Sequence, residues 1–316
     1  MVSVNKKVAI GMSGGVDSSV AAALLKEQGF DVCAVTMVTY DGSEPEKENQ
    51  RHGCYGPGEA EDVASAESVC KKLDIALHVI DLREEYQTHV IGHFRNEYLA
   101  GRTPNPCVVC NREVKFGFLL EKARKSGVEF DFFATGHYAI IERSGGRYSL
   151  KRAKDHSKDQ SYFLYTLTPN QLSTTLFPLG TYKKPQVREI ARSLGLQTSE
   201  RPESQDFVTN GNYGILFNKD EATEGDIVDE KGNVLGKHRG IIHYTIGQRR
   251  GLGIAYGRPL YVTKIDAQNN RIVVAGREDL SSKGFIASDL NLIAIERLAS
   301  PLEASVKIRL NHAAVE

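Results

Sequence analysis

From Lys7 to about Thr135, short apolar runs alternate with segments of helical period. VAIGM is followed by SVAAALLKEQG, VCAVTMV by a helical pattern from Glu59 to Leu73, and LHVIDL by another from Glu84 to Ala100. Continuous apolar runs of this length suit strands covered on both faces, and alternation with helices requires parallel crossovers. The pattern predicts an α/β fold with a doubly wound parallel sheet. After FFATG, the stretch IIERSGGRYSLKRA predicts a hairpin turning at Ser144 to Gly146, and KKPQVREIARSLGL predicts a helix with Pro185 in its first turn. Beyond about Arg201 the texture changes. Gly-rich turns separate short alternating segments, GDIVDEKGNVLG, RPLYVTKIDAQNNRIVVAG and SVKIRL, which predict small β-rich modules. The expected layout is a first domain over 1–203, a central β-rich domain over 204–282 and a further β region over 283–316.

Composition narrows the class. A chain of 316 residues, 41% apolar and 25% charged, can build more than one core and has none of the bias of disorder. The opening MVSVNKK lacks an apolar leader and no run reaches transmembrane length, so a cytoplasmic address without membrane contact is expected. Lys plus Arg equals Asp plus Glu at 40 each, so any nucleic-acid site must rest on local patches. Five cysteines in such a chain favour reduced thiols, metal ligation or catalysis over a disulfide framework.

The sharpest chemical signal lies between the first strand and the first helix: Gly11, Met12, Ser13, Gly14, Gly15, Val16, Asp17, Ser18 and Ser19. Glycines let the backbone fold tightly and turn its N–H groups inward, and the serines offer hydroxyls at the positive end of the helix. This suits a polyphosphate. Asp17 would repel phosphate by itself, which predicts that it holds magnesium against the nucleotide or assists an activated centre. The bland alternative is a Gly-rich turn with an Asp cap.

SGGVDSS resembles the PP-loop of the ATP pyrophosphatases, which activate an oxygen as an adenylate and release pyrophosphate. Further along the chain come GRTPNPCVVCN at Gly101 to Asn111, KFG at Lys115 to Gly117, ATGHY at Ala134 to Tyr138, KDQSYFL at Lys158 to Leu164 and YTIGQR at Tyr244 to Arg249. Together these are similar to the bacterial tRNA-specific 2-thiouridylases over nearly the whole chain. That resemblance implies ATP contacts at Gly11 to Ser18, Met37 and Gly136, and contact with the target base at Asn105 and Pro106. It further implies tRNA contacts at His137, Lys158, Asp159, Gln160 and Arg309, with Gln248 and Arg249 as weaker candidates. Read without the family, His137 could equally cap a helix and Lys158 be a solvated charge. The resemblance also makes 283–316 the start of an incomplete C-terminal β-barrel, with Leu310 where a tyrosine is expected.

The usual family mechanism needs two cysteines. Cys110 matches the first, while the aligned position of the second, in Glu203 to Val208, is Val208, which cannot carry a persulfide. Cys107 stands where the commoner pattern has aspartate, making a Cys107–Cys110 pair, and Cys54 lies in a Gly-rich loop from Gly53 to Gly58. Three such thiols suit a [4Fe-4S] cluster held by Cys54, Cys107 and Cys110. A redox dithiol of Cys107 and Cys110 and a structural zinc site are the alternatives. Cys33, in an apolar strand, and Cys70, on the apolar side of a helix, read as buried core thiols.

The expected reaction is 2-thiolation of a wobble uridine: ATP adenylates the C2 oxygen, sulfur attacks, and AMP leaves. Asp17, Cys107 and Cys110 are the expected catalytic residues. Expected partners are the tRNA anticodon arm and a sulfide or persulfide donor, with no DNA and no membrane. Rival readings are a PP-loop enzyme acting on another tRNA base, a small-molecule amidating ligase, and a non-catalytic RNA-binding protein with structural ATP.

Overall fold

The computed structural model describes residues 6–42, 54–200, 207–208 and 213–315. Five parallel strands form the central sheet: β1 (Lys7–Gly11), β2 (Asp31–Val38), β3 (Leu77–Asp81), β4 (Phe132–Thr135) and β7 (Thr175–Leu176), in the order β3-β2-β1-β4-β7. The chain steps outward from β1 through β2 to β3, then returns to β1's other side at β4. β1 is therefore the switch point of the sheet, where ligand crevices open at the carboxyl ends of strands. Val8, Ala9 and Ile10 of β1 are fully buried, as a strand covered on both faces requires.

Helix α1 (Val16–Glu27) follows β1, and α2 (Glu59–Leu73) precedes β3. Asp74, at positive φ, ends α2 in a left-handed cap. The helix expected from Glu84 to Ala100 is present but not uniform: α3 (Arg83–Tyr86) and α4 (Gly92–Leu99) are joined by a π-helical turn, Gln87–Ile91. A second π-helical stretch, Cys110–Phe118, runs between α5 (Pro106–Val109) and α6 (Leu119–Lys125). Wide turns of this kind recur at functional sites, because the extra residue per turn shifts which side chains share a face.

The hairpin forms as expected, β5 (Ala139–Ser144) with β6 (Arg147–Arg152), turning on Gly145 and Gly146 at positive φ. Helix α7 (Pro169–Ser173) carries a Thr168–Gln171 capping box. Helix α8 (Lys184–Ser193) begins with proline in its first turn and packs Val187 and Ala191, both fully buried, toward the core shared with α1.

The β-rich region forms a four-stranded sheet ordered β10-β11-β8-β9, from β8 (Gly225–Val228), β9 (Val234–His238), β10 (Tyr261–Asp266) and β11 (Arg271–Ala275). It joins the first region through Phe94, whose ring meets Tyr213 at 5.2 Å, and through Arg95, which donates to both Glu221 oxygens at 2.7 Å. SVKIRL does not form the expected strand. Among the described residues it contributes one antiparallel bridge, Val306 with Val315, and its side chains have no second sheet to cover them.

Candidate active site

A cavity of about 380 Å³ opens at the carboxyl ends of β1, β2 and β4. Its floor is the loop after β1. Gly14 sits at φ 70°, a left-handed conformation natural to glycine, and the Ser65 hydroxyl donates to its carbonyl at 2.8 Å. Gly15 precedes α1 and supplies no side-chain cap. The first turn of α1 therefore has no side-chain cap to compete with an anion for its N–H groups.

Gly11, Met12, Ser13, Gly15, Val16, Asp17 and Ser18 all line this cavity. Ser18 Oγ accepts from the Ser13 N–H at 3.2 Å and lies 3.1 Å from the Gly15 carbonyl, so the hydroxyl also shapes the loop. Ser19 does not serve as the expected hydroxyl donor. It is fully buried and its Oγ donates to the Gly15 carbonyl at 2.8 Å, turned into the helix.

Met37 and Gly136, the other nucleotide candidates, line the same cavity from β2 and from the end of β4. A Cβ on Gly136 would stand 2.7 Å from the Ser18 nitrogen and 2.8 Å from the Asp17 carbonyl carbon. Glycine is needed there so that β4 can press directly on the start of α1.

Asp17 is not an open acid. Its two oxygens accept from Lys184 Nζ at 2.8 and 2.7 Å, and Oδ1 also accepts from the Tyr138 hydroxyl at 2.8 Å. Neither partner was assigned a role from sequence. Lys184 is 167 residues away along the chain and falls in no recognised motif.

The candidate thiols share this cavity. Cys54, Cys107 and Cys110 line the cavity together with Tyr86, Lys115 and Phe207. None of the five cysteines is in a disulfide. Burial pushes the Cys110 thiol up to about 11, opposed by Lys115. Burial alone would lower the Lys115 ammonium, but Cys110, Cys54 and Cys107 together hold it above its ordinary value. Among the described residues, no three His, Cys, Asp or Glu side chains gather closely enough to hold one metal ion. Cys33 and Cys70 stay outside the cavity; Cys70 is 2% exposed on α2.

The candidate RNA contacts separate into groups. Pro106, His137 and Gln160 line the cavity. Asn105 caps α5, its Oδ1 accepting from the Val108 N–H at 3.3 Å. His137 Nδ1 lies 2.7 Å from the Thr135 hydroxyl, with Phe116 and Phe177 beside the ring, and burial followed by the Lys115 charge lowers its pKa to about 3. Gln160 Oε1 accepts from the Tyr138 N–H at 2.9 Å. Asp159 organises its own loop by accepting from the Ala153 N–H at 2.9 Å and the Ser161 hydroxyl at 2.8 Å, and Lys158 sits on that loop, half-buried. Arg309 is away from the cavity and donates to the Ile246 carbonyl at 2.9 Å, beside the turn carrying Gln248 and Arg249.

A parallel sheet whose switch point carries a Gly-rich loop and an uncapped helix start defines an α/β nucleotide-binding protein of the PP-loop type. Residues 6–209 match the family described as tRNA methyl transferase HUP domain, and 215–276 the tRNA methyl transferase PRC-barrel domain. A tRNA-specific 2-thiouridylase of Clostridioides difficile is 49% identical over 313 residues, 96% of this chain and 84% of that protein. Its counterpart in Clostridium perfringens is 47% identical over 309 residues, 96% and 84%. The chain belongs to the tRNA-specific 2-thiouridylase family. Among solved structures, a 4-thiouridine synthetase in complex with RNA and ATP is similar at TM-score 0.41 and 19% identity, over 64% of this chain and 44% of that one.

No described helix is long and apolar enough to cross a membrane.

Proposed function

We infer that the protein catalyses ATP-dependent 2-thiolation of the wobble uridine of tRNA. The observation that carries this reading is that one cavity is lined both by the PP-loop and helix start and by Cys54, Cys107 and Cys110. Methyl transfer, the chemistry in the family description, needs no polyphosphate cradle. Thiolation does, because the uridine C2 oxygen is a poor leaving group until it is adenylated.

In the first step the C2 oxygen attacks the α-phosphorus of ATP: the O–P bond forms, the bond to the β-phosphate bridge breaks, and pyrophosphate departs. The N–H groups at the start of α1 would receive the phosphates and favour the charge that develops on them. In the second step a sulfur nucleophile adds to C2, the C–O bond breaks, and AMP leaves with the former uridine oxygen. Pro106, His137 and Gln160 line the same cavity; Pro106, with Asn105, is the proposed base contact, and His137 and Gln160 are proposed tRNA contacts. His137, held neutral by burial, can exchange a hydrogen bond with a base without bringing a charge beside the adenylate. To enter this cavity the uridine must leave its stack, which an anticodon loop permits at low cost.

Magnesium does not fit Asp17 as an open ligand, since both carboxylate oxygens are held by Lys184. A [4Fe-4S] cluster suits these three thiols better than a single ion. Each cysteine of such a cluster binds a different iron, so the thiols need not converge on one point. Cys54, Cys107 and Cys110 would hold it, and it would supply an iron position without a protein ligand that could take up exogenous sulfur. The sulfur source is accordingly proposed to be sulfide, or a persulfide donor whose S–S bond is then cleaved by reducing thiols that leave as a disulfide, and the site of action the cytoplasm.

The test is nucleoside mass spectrometry on thiolation-deficient tRNA, incubated without oxygen with ATP, magnesium and sulfide, using iron-loaded and metal-stripped protein in parallel. 2-Thiouridine formed only by the iron-loaded protein supports both substrate and cluster. Product from both preparations makes the cysteines act as thiols, and product from neither overturns the tRNA reading.

A further inference from the structure

Lys184 is 6% exposed, an unusual burial for a lysine and one tolerated only with a close partner. Its partner is Asp17, reached at 2.7 and 2.8 Å through both oxygens, and its ammonium lies 5.8 Å from the centre of the Tyr138 ring. The lysine is placed by its own backbone as well: the Lys184 N–H donates to Asp155 Oδ2 at 2.9 Å, at the proline-bearing first turn of α8. Lys184 does not line the cavity, whereas Asp17 does.

Asp17 occupies the first turn of α1, where the helix dipole and open N–H groups favour an anionic ligand. An uncompensated carboxylate at that point would repel the triphosphate that the loop is shaped to receive. We propose that Lys184 is the counter-ion that makes the PP-loop hospitable to triphosphate. It is a positioning residue: it balances the charge of Asp17 and, with the Tyr138 hydroxyl, holds that carboxylate in one orientation, without touching the nucleotide. The inference rests on the ATP reading given above.

Charge balance of this kind has a signature that a purely structural lysine lacks. Lys184→Met leaves the Asp17 carboxylate alone beside the phosphates and weakens ATP binding by about tenfold or more. Asp17→Asn leaves the lysine uncompensated and tightens ATP binding several-fold. The double variant D17N/K184M removes both charges and returns the affinity to within about threefold of wild type, as does Lys184→Arg, which keeps the charge.

The experiment is calorimetric titration of the full chain with magnesium ATP, in the absence of tRNA, for wild type and these four variants. Thermal melting of each variant identifies any that fails to fold. If K184M does not fold, the comparison of D17N with the double variant still decides. Tighter binding by D17N and restoration in the double variant support the proposal. Unchanged binding by K184M, weaker binding by D17N, or a double variant as weak as K184M would overturn it. Failure of the wild type to bind ATP overturns the ATP reading itself, and is recognised separately.

Discussion

Tyr55 and Val208 are joined by a parallel bridge, in which the Tyr55 N–H donates to the Phe207 carbonyl at 3.0 Å. Tyr55 in turn stacks on the buried Tyr86, ring centres 5.5 Å apart and planes within 4°. Cys54 is therefore tied, through its chain neighbour, to the segment where the resemblance expects the second cysteine. Cys54 thus stands in the chain beside the residue that pairs with Val208.

Cys54→Ser is accordingly expected to reduce thiolation of tRNA at least about a hundredfold while leaving the thermal midpoint little changed, since the side chain is exposed. Cys33→Ala and Cys70→Ala should retain thiolation. Single-turnover formation of 2-thiouridine, alongside a melting curve for each variant, checks this.

Thiol alkylation should follow the same division. The Cys70 thiol, pushed up to about 11 by burial and then by Glu67, is almost entirely protonated at pH 8. Its alkylation should be slow and rise about tenfold per pH unit below that value, because only the thiolate reacts. The exposed Cys54 should be labelled first. Peptide mass spectrometry over a pH series reads both rates.

Gly136→Ala places a methyl group against the Ser18 nitrogen and the Asp17 carbonyl carbon, both backbone atoms that cannot swing aside. The expected cost is about 1–3 kcal/mol of stability, with a clear loss of ATP affinity. Urea denaturation and nucleotide titration of the variant measure the two effects.

Burial, and then the Lys115 charge, hold the pKa of His137 at about 3 against an ordinary 6.5. Between these values the unfolded chain binds a proton that the folded chain does not. Stability therefore falls as pH drops through that window and is undiminished above it. The wild type should lose up to about 1.4 kcal/mol per pH unit more than His137→Gln across this range. Denaturant titrations from pH 7 to 4 test it, and equal slopes would exclude an imidazole held neutral in the folded chain.

Arg147 donates to the carbonyls of Leu292, Ile293 and Ile295 at 3.1, 2.7 and 2.8 Å, holding the segment beyond the β-rich sheet against the hairpin. Arg147→Ala should expose residues 285–300 to limited proteolysis without changing ATP binding. Cleavage mapping compares the two chains.

The sequence by itself determined the layered α/β plan, the loop from Gly11 to Ser18 and the hairpin at Gly145, because each is a local pattern: apolar runs, helical spacing and glycine at left-handed turns. The π-helical turns were not legible, since widening a helix by one residue leaves its apolar period nearly unchanged. SVKIRL alternates like a strand, yet alternation produces a sheet only where partner strands and a covered face exist. The grouping of Cys54 with Cys107 and Cys110 was already expected from the sequence, whereas tertiary structure alone decided that Lys184 closes on Asp17 and that Ser19 turns away from the cavity. Those relationships link residues far apart in the chain or depend on which way a side chain points. Spacing along a sequence encodes neither: they are set when β4 presses on α1 and α8 packs beside it, bringing charge and thiol to the same crevice.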